Sequence, residues 1–341
     1  MFAVCITSPG DISLVELPTP KPASDEIRIA LSHVGYCGSD LSSFKGSNPL
    51  VSYPRVPGHE LSGTIDMLGA TVPNAFSIGQ RVTVLPYFNC GNCFACRNGK
   101  PNACIANQTM GVQREGAMAE FACVHHAHVL PVEDLEPHEL ALIEPLAISF
   151  HAVGRGVPRP QEWVAVLGVG MIGLGIQLAA IAAGARVVAI DLSVKKLDLA
   201  HALGATAVID ASQVDVIAAL MAITGEDGAS LVFEAAGSPI TFRSAIDMVS
   251  QTARVVYVGY TATPVEYETR KFVTKEINIL GSRGATRADF TAATEYLRNN
   301  RRVAKAIVSK TVPLAEAPTA MREWMADPSS ITKIIVSING D

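Results

Sequence analysis

Charge is scarce in this chain. Only 17% of its 341 residues are charged, against 49% hydrophobic, and lysine and arginine never form a run. With a formal net charge of -5, a nucleic-acid-binding surface is not expected. Low-complexity tracts and internal repeats are also missing, and the composition is that of a folded chain, not a disordered one. The start, Met1-Phe2-Ala3-Val4-Cys5-Ile6-Thr7, lacks the basic residues and long apolar stretch of a secretory leader. A cytoplasmic location is therefore expected, where cysteines serve as ligands or buried thiols more often than as disulfides. One uncharged stretch, Trp163 to Ala185, has the length of a membrane span. It is broken by Gly168, Gly170, Gly173 and Gly175, and a second apolar run follows almost at once and ends on Asp191. A buried strand, turn and helix explain this better, so no membrane partner is expected.

The length suits two domains with sizeable cores. Residues 1 to about 147 read mainly as β, with short runs such as Ile27–Leu31, Leu61–Ile65 and Arg81–Leu85 between Pro- and Gly-rich turns. From 148 to 283 the rhythm alternates. Strands are expected at Trp163–Leu167, Arg186–Ile190, Ala207–Ile209, Leu231–Ala235, Arg254–Gly259 and Ile277–Leu280. Helices at Met171–Ala183, Lys195–Leu203 and Val214–Thr224 separate the earlier ones. This is the pattern of an α/β fold with a doubly wound parallel sheet. Residues 284–341, with a helix at Ala288–Asn299 and a strand at Lys333–Ile338, are expected to return to the first domain.

Gly168-Val169-Gly170-Met171-Ile172-Gly173 follows a strand and opens a helix, the context in which GxGxxG binds a dinucleotide. Gly168 makes the turn, Gly170 lets the backbone approach a pyrophosphate, and Gly173 lets helix pack on strand. Asp191 ends the next strand, where a carboxylate accepts from both adenosine ribose hydroxyls and repels a 2′-phosphate, so NAD is favoured over NADP. Ile172, Lys196 and Gly259 join the expected cofactor contacts; Lys196 reads equally well as a solvated helix lysine.

Cys90, Cys93, Cys96 and Cys104 place four thiols in a short loop-like segment, the ligand set of a structural zinc site. An iron–sulfur cluster is the alternative, but a proline after the last cysteine and a second cluster motif are both missing. Cys37, His59, Glu60 and Glu144 offer S, N and O ligands for a second, catalytic zinc. Cys37 and His59 are the firm pair; Glu60 and Glu144 compete for the third place. Ser39, two residues from Cys37, is placed to move a proton. Cys5 and Cys123 read as small buried hydrophobes. His126 and His128 fall on one face if the segment is a strand, though a turn is at least as consistent.

The Cys37-Gly38-Ser39-Asp40 turn, Gly58-His59-Glu60, the four-cysteine lobe, Glu144-Pro145-Leu146 and the Gly168 fingerprint occur in that order. Together they resemble the zinc-dependent medium-chain dehydrogenase/reductase family, and Glu60 and Glu144 its sorbitol and threonine dehydrogenase branches. The resemblance implies a GroES-like catalytic domain, a Rossmann domain, a cleft between them, two zinc ions and a homo-oligomer, either tetramer or dimer. Ser52 to Glu60 and Gly281 to Thr286 are similar to bacterial L-galactonate, L-gulonate and L-idonate 5-dehydrogenases. Arg283 is then a candidate partner for a substrate carboxylate. Many relatives carry a histidine two residues after the aspartate of the turn, and here that residue is Ser42. The implied activity is NAD-dependent oxidation of a small secondary alcohol, a sugar acid first. A neutral polyol, L-threonine, or a non-catalytic nucleotide-binding role are the alternatives.

Overall fold

A computed structural model describes residues 1–225 and 227–339. The chain divides into two compact units, one formed by Met1–Glu144 with everything from Thr286 on, the other by Pro145–Ala285.

The first unit opens with an antiparallel hairpin, β1 (Phe2–Ser8) and β2 (Asp11–Glu16). The long strand β3 (Glu26–Tyr36) follows, then β4 (Glu60–Leu68), β5 (Arg81–Val84), the small ribbon of β6 (Tyr87–Phe88) and β7 (Gln108–Thr109), and β8 (Phe121–His125) and β9 (Val129–Pro131). Strand β3 alternates along most of its length, with Ile27, Ile29 and Leu31 fully buried, as a strand with one core face must.

In the second unit the strands are β10 (Trp163–Leu167), β11 (Arg186–Asp191), β12 (Ala207–Asp210), β13 (Ala229–Glu234), β14 (Val249–Tyr257) and β15 (Asn278–Gly281). They form one parallel sheet in the order β12-β11-β10-β13-β14-β15. The order reverses between β10 and β13, the switch point of a doubly wound fold. Strands covered on both faces have no need to alternate, and Val164 to Val166 and Val187 to Ala189 are all fully buried.

The chain ends with β16 (Val308–Pro313) and β17 (Lys333–Ser337), parallel to each other, and β17 pairs antiparallel with β3. The seven-stranded sheet of the first unit therefore runs β16-β17-β3-β4-β5-β9, with β8 also on β3. Its core includes Tyr36, Phe44, Leu61 and Val336.

The histidine segment ends its strand at His125 and turns at His126–His128, so strand alternation does not apply there. No described helix is long and apolar enough to cross a membrane, and Trp163–Ala185 is the strand and helix expected.

Candidate metal centres and dinucleotide site

Cys37 caps the short helix Gly38–Phe44. Asp40 in the first turn is fully buried and its carboxylate spans two segments: Oδ2 accepts from the N–H of Cys37 at 2.9 Å, and Oδ1 from that of Gly58 at 3.2 Å. One carboxylate thus holds the cysteine turn against the turn that carries His59. Gly58 has φ +96, and a methyl group there would lie 2.8 Å from Val34 Cγ1, so the site needs glycine twice over.

Cys37, His59 and Glu60 offer ligand atoms that all lie within 4.8 Å of one another. His59 and Glu60 are buried, and His59 Nδ1 and Ser39 Oγ are buried without a hydrogen-bond partner among the described residues. Orphaned polar atoms of this kind are costly unless something else satisfies them. Burial works against a charged His59, yet Cys37, Asp40 and Glu144 outweigh it and hold its pKa well above the usual value. So much negative charge around a buried imidazole suits a cation, and mixed S, N and O donors suit zinc.

Glu144 stands in the first turn of the helix Ile143–Gly156, where the dipole favours a carboxylate. It is not one of the three converging donors; its Oε1 accepts from the hydroxyl of Tyr87. Its charge still bears on both His59 and Glu60.

Lys333 has no local motif that marks its role. Gly35 in β3 faces Glu60 in β4 on one side and Ile335 in β17 on the other. A methyl group on Gly35 would lie 2.1 Å from Glu60 Oε2, so only glycine leaves the carboxylate room. Lys333 Nζ lies 2.7 and 2.5 Å from the two Glu60 oxygens and donates to the Tyr36 carbonyl at 3.0 Å. Burial pulls this ammonium toward neutrality and Glu60 overrides it, so its pKa stands above the ordinary lysine value, while burial pushes the Glu60 carboxyl up to about 7 even with Lys333 beside it.

In the four-cysteine lobe, Cys90, Cys93, Cys96 and Cys104 also keep all sulfurs within 4.8 Å. Cys90 and Cys104 are 3.5 Å apart, as are Cys93 and Cys96. A disulfide requires about 2.05 Å, whereas tetrahedral Zn–S bonds of about 2.3 Å set sulfurs roughly 3.7 Å apart. Backbone N–H groups of Cys96 and Ile105 pull Cys93 down to about 6, while burial and the hydrogen bonds to Cys93 and Cys104 push Cys96 up to about 12, so the crowded sulfurs share protons unequally without a cation.

At the dinucleotide loop, Gly168 has φ +84, and a methyl group on Gly173 would lie 1.7 Å from the Gly168 carbonyl oxygen. Around Gly170, which caps the helix Met171–Ala182, the space for a side chain is open. Asp191 fixes the loop from the next strand: Oδ2 accepts from Val169 at 2.8 Å, Oδ1 from Leu192 at 2.8 Å and Ser193 at 2.9 Å. The Ile172 carbonyl accepts from Ser149 at 3.0 Å, and Lys196 is half-buried on the following helix. Gly259 lies just past β14 and donates to the Glu234 carbonyl at 3.0 Å. Arg283 is exposed, two residues beyond β15. Ser42 bonds back to the Gly38 carbonyl at 3.0 Å, a local helix contact.

Comparison with known proteins gives the family. Residues 23–134 match the alcohol dehydrogenase GroES-like domain and residues 168–299 the zinc-binding dehydrogenase domain. The chain is 34% identical to L-galactonate-5-dehydrogenase of Escherichia coli K12, over 92% of each chain. It is 31% identical to a sorbitol dehydrogenase of Halalkalibacterium halodurans, over 90% of each. The crystal structure of a short chain alcohol dehydrogenase from Escherichia coli CFT073, complexed with NADH, superposes with a TM-score of 0.92 at 29% identity over 99% of both chains. The chain therefore belongs to the zinc-dependent medium-chain dehydrogenase/reductase family, and is an oxidoreductase of the alcohol, polyol and sugar-acid type that uses zinc and a nicotinamide dinucleotide.

Proposed function

We propose that this enzyme oxidises a secondary alcohol of a sugar acid, of the L-galactonate, L-gulonate or L-idonate type, with NAD as hydride acceptor. The observation that carries the reading is the convergence of Cys37, His59 and Glu60 beside an unpartnered Ser39 hydroxyl. The 34% identity to L-galactonate-5-dehydrogenase supports the substrate class, and Arg283 supplies a guanidinium for the carboxylate. Asp191 favours NAD, because its carboxylate repels a 2′-phosphate.

Cys37, His59 and Glu60, with Glu144 beside them, hold the catalytic zinc; Cys90, Cys93, Cys96 and Cys104 hold a structural one. Bound there, zinc supplies the Lewis acidity that lowers the pKa of a substrate hydroxyl, and NAD supplies the hydride acceptor. The chain's own residues do the rest. Ser39 Oγ takes the alcohol proton and passes it on to water or the cofactor ribose, since Ser42 cannot extend the path as a histidine does. Lys333 offsets the charge of Glu60, and Tyr87 fixes Glu144. Asp40 keeps Cys37 and His59 in register. The enzyme works in the cytoplasm as a homo-oligomer.

A neutral polyol is the second reading, favoured by the 31% identity to a sorbitol dehydrogenase. NADH absorbance with a panel of aldonates, hexitols and L-threonine separates them. Turnover of an aldonate that falls sharply in Arg283→Ala supports the sugar acid; hexitol turnover indifferent to that change overturns it. Cys37→Ser is expected to abolish turnover and reduce bound zinc from two ions per chain to one, with the circular dichroism of the parent. Retained activity in that variant would remove Cys37 from the chemistry.

A further inference from the structure

Glu234 ends β13, in the middle of the parallel sheet, with β10 on one side and β14 on the other. Its side chain is fully buried. Oε1 accepts three hydrogen bonds: from the N–H groups of Ala236 at 3.0 Å and Gly237 at 2.7 Å, and from Thr241 Oγ1 at 2.7 Å. Its main-chain carbonyl accepts two more, from Val258 at 2.9 Å and Gly259 at 3.0 Å. Oε2 has no hydrogen-bond partner among the described residues and faces Gly259, where a methyl group would lie 2.7 Å away. Two loops, 235–238 and 258–260, are thus drawn around one residue.

A carboxylate is a costly way to cap a loop when one of its oxygens is left unpaired. A glutamine would satisfy the donors on Oε1 without a charge. Burial is the largest influence on the Glu234 carboxyl and raises its pKa, with Thr241 and the amides of Gly237 and Ala236 pulling the other way. Its place in the sheet explains the tolerance of that cost. In an open parallel sheet, ligands bind beyond the carboxyl ends of the strands, and each half of the sheet takes one mononucleotide. Gly168 to Gly173, after β10, and Asp191, at the end of β11, serve the phosphates and the adenosine. The loops after β13 and β14 fall to the other half of the dinucleotide.

We propose that Glu234 is a positioning residue for the nicotinamide ring of the cofactor, acting through the loop 235–238 that its carboxylate holds and not by touching the reacting atoms. The charge-assisted bonds to Oε1, about twice as strong as neutral ones, keep the loop 235–238 fixed before the cofactor arrives, while the Glu234 main-chain carbonyl holds 258–260. This inference rests on the dinucleotide site proposed above.

The test compares two ligands by isothermal titration of the zinc-loaded, full-length protein. NAD carries both halves of the dinucleotide; ADP-ribose lacks the nicotinamide. Glu234→Gln weakens the bonds to Oε1, and Thr241→Val removes one of them. Each is expected to weaken NAD binding about tenfold, the size of one lost buried hydrogen bond, and to leave ADP-ribose binding within about twofold. Thr241→Ser, which keeps the hydroxyl, is expected to restore NAD affinity. Equal weakening of both ligands would make Glu234 a general structural cap and overturn the proposal, as would unchanged NAD affinity in a folded variant. Should Glu234→Gln fail to fold, the Thr241 pair decides alone. A parent protein that binds neither ligand overturns the dinucleotide site itself.

Discussion

Lys333 and Glu60 meet with relative side-chain exposures of 2% and 1%. An ion pair so far from water gains little net stability, but removing one partner strands the other charge, at a cost of about 3–5 kcal/mol. Lys333→Met is therefore expected to destabilise the protein by about 3 kcal/mol, read as a lower urea midpoint at unchanged slope. Lys333→Arg, which keeps the charge, is expected to recover part of that loss. A variant as stable as the parent would mean that the Glu60 carboxyl is neutral. His128 gives a pH test. Its ring lies 4.2 Å from that of Phe88, and Nδ1 is 3.2 Å from the Leu85 carbonyl. Burial lowers its pKa, the bond to the Leu85 carbonyl opposes this, and nearby His125, Arg114 and Arg287 add to the lowering. A histidine held below its ordinary value favours the fold while neutral. Its contribution is present above about pH 6.5 and is lost as the pH falls toward the depressed folded value. His128→Phe keeps the ring stacking and removes the titration. The fall in melting temperature between about pH 7.5 and about pH 5.5 is expected to be smaller in this variant than in the parent. An equal fall rules His128 out as an acid-sensitive group.

The strand, turn and helix at Trp163–Leu167 and Met171–Ala182 depend on backbone contact at glycine. Gly173→Ala places a methyl group against the Gly168 carbonyl, 1.7 Å away before any relaxation. Overpacking of this kind costs about 1–3 kcal/mol. A lower melting temperature and loss of NAD binding are expected, and calorimetry checks both. These elements were legible because the glycine spacing and the change in hydrophobic period both mark them; their predicted bounds differ from the observed ones by a residue at most. Other elements were hidden. The helix Ile143–Gly156 reads as an apolar run interrupted by Pro145, but proline in a first turn gives up an N–H that has no helical partner. The helix Pro239–Met248 carries its start signal, Ser238 with Thr241, in a segment whose apolar period is weak. Donor types at the two proposed zinc sites could be read from local motifs. Lys333 could not, because its partner is 273 residues away and is reached only through the order of strands in the sheet. Tyr87 and Asp40 were overlooked for the same reason: each acts on a residue that another element supplies.

The parallel sheet leaves two edges, and they differ. Strand β12 ends on Asp210, and a charge at a sheet edge discourages pairing with another chain. Strand β15, Asn278-Ile279-Leu280-Gly281, carries no charge, and Ile279 is 42% exposed. Val273, on the preceding helix, is 81% exposed. An uncharged edge beside exposed apolar side chains invites a further strand. The partner best matched to it is a second copy of the chain, since a twofold axis sets β15 against itself, antiparallel, with the same residues buried from both sides. In the homo-oligomer proposed above, this edge is where the sheet is expected to continue from one subunit into the next. Ile279→Lys puts two like charges across that axis without touching the pairing of β15 with β14. A smaller species by light scattering after size exclusion, with the secondary structure of the parent, is the expected outcome. An oligomer of unchanged mass would move the subunit contact away from this edge.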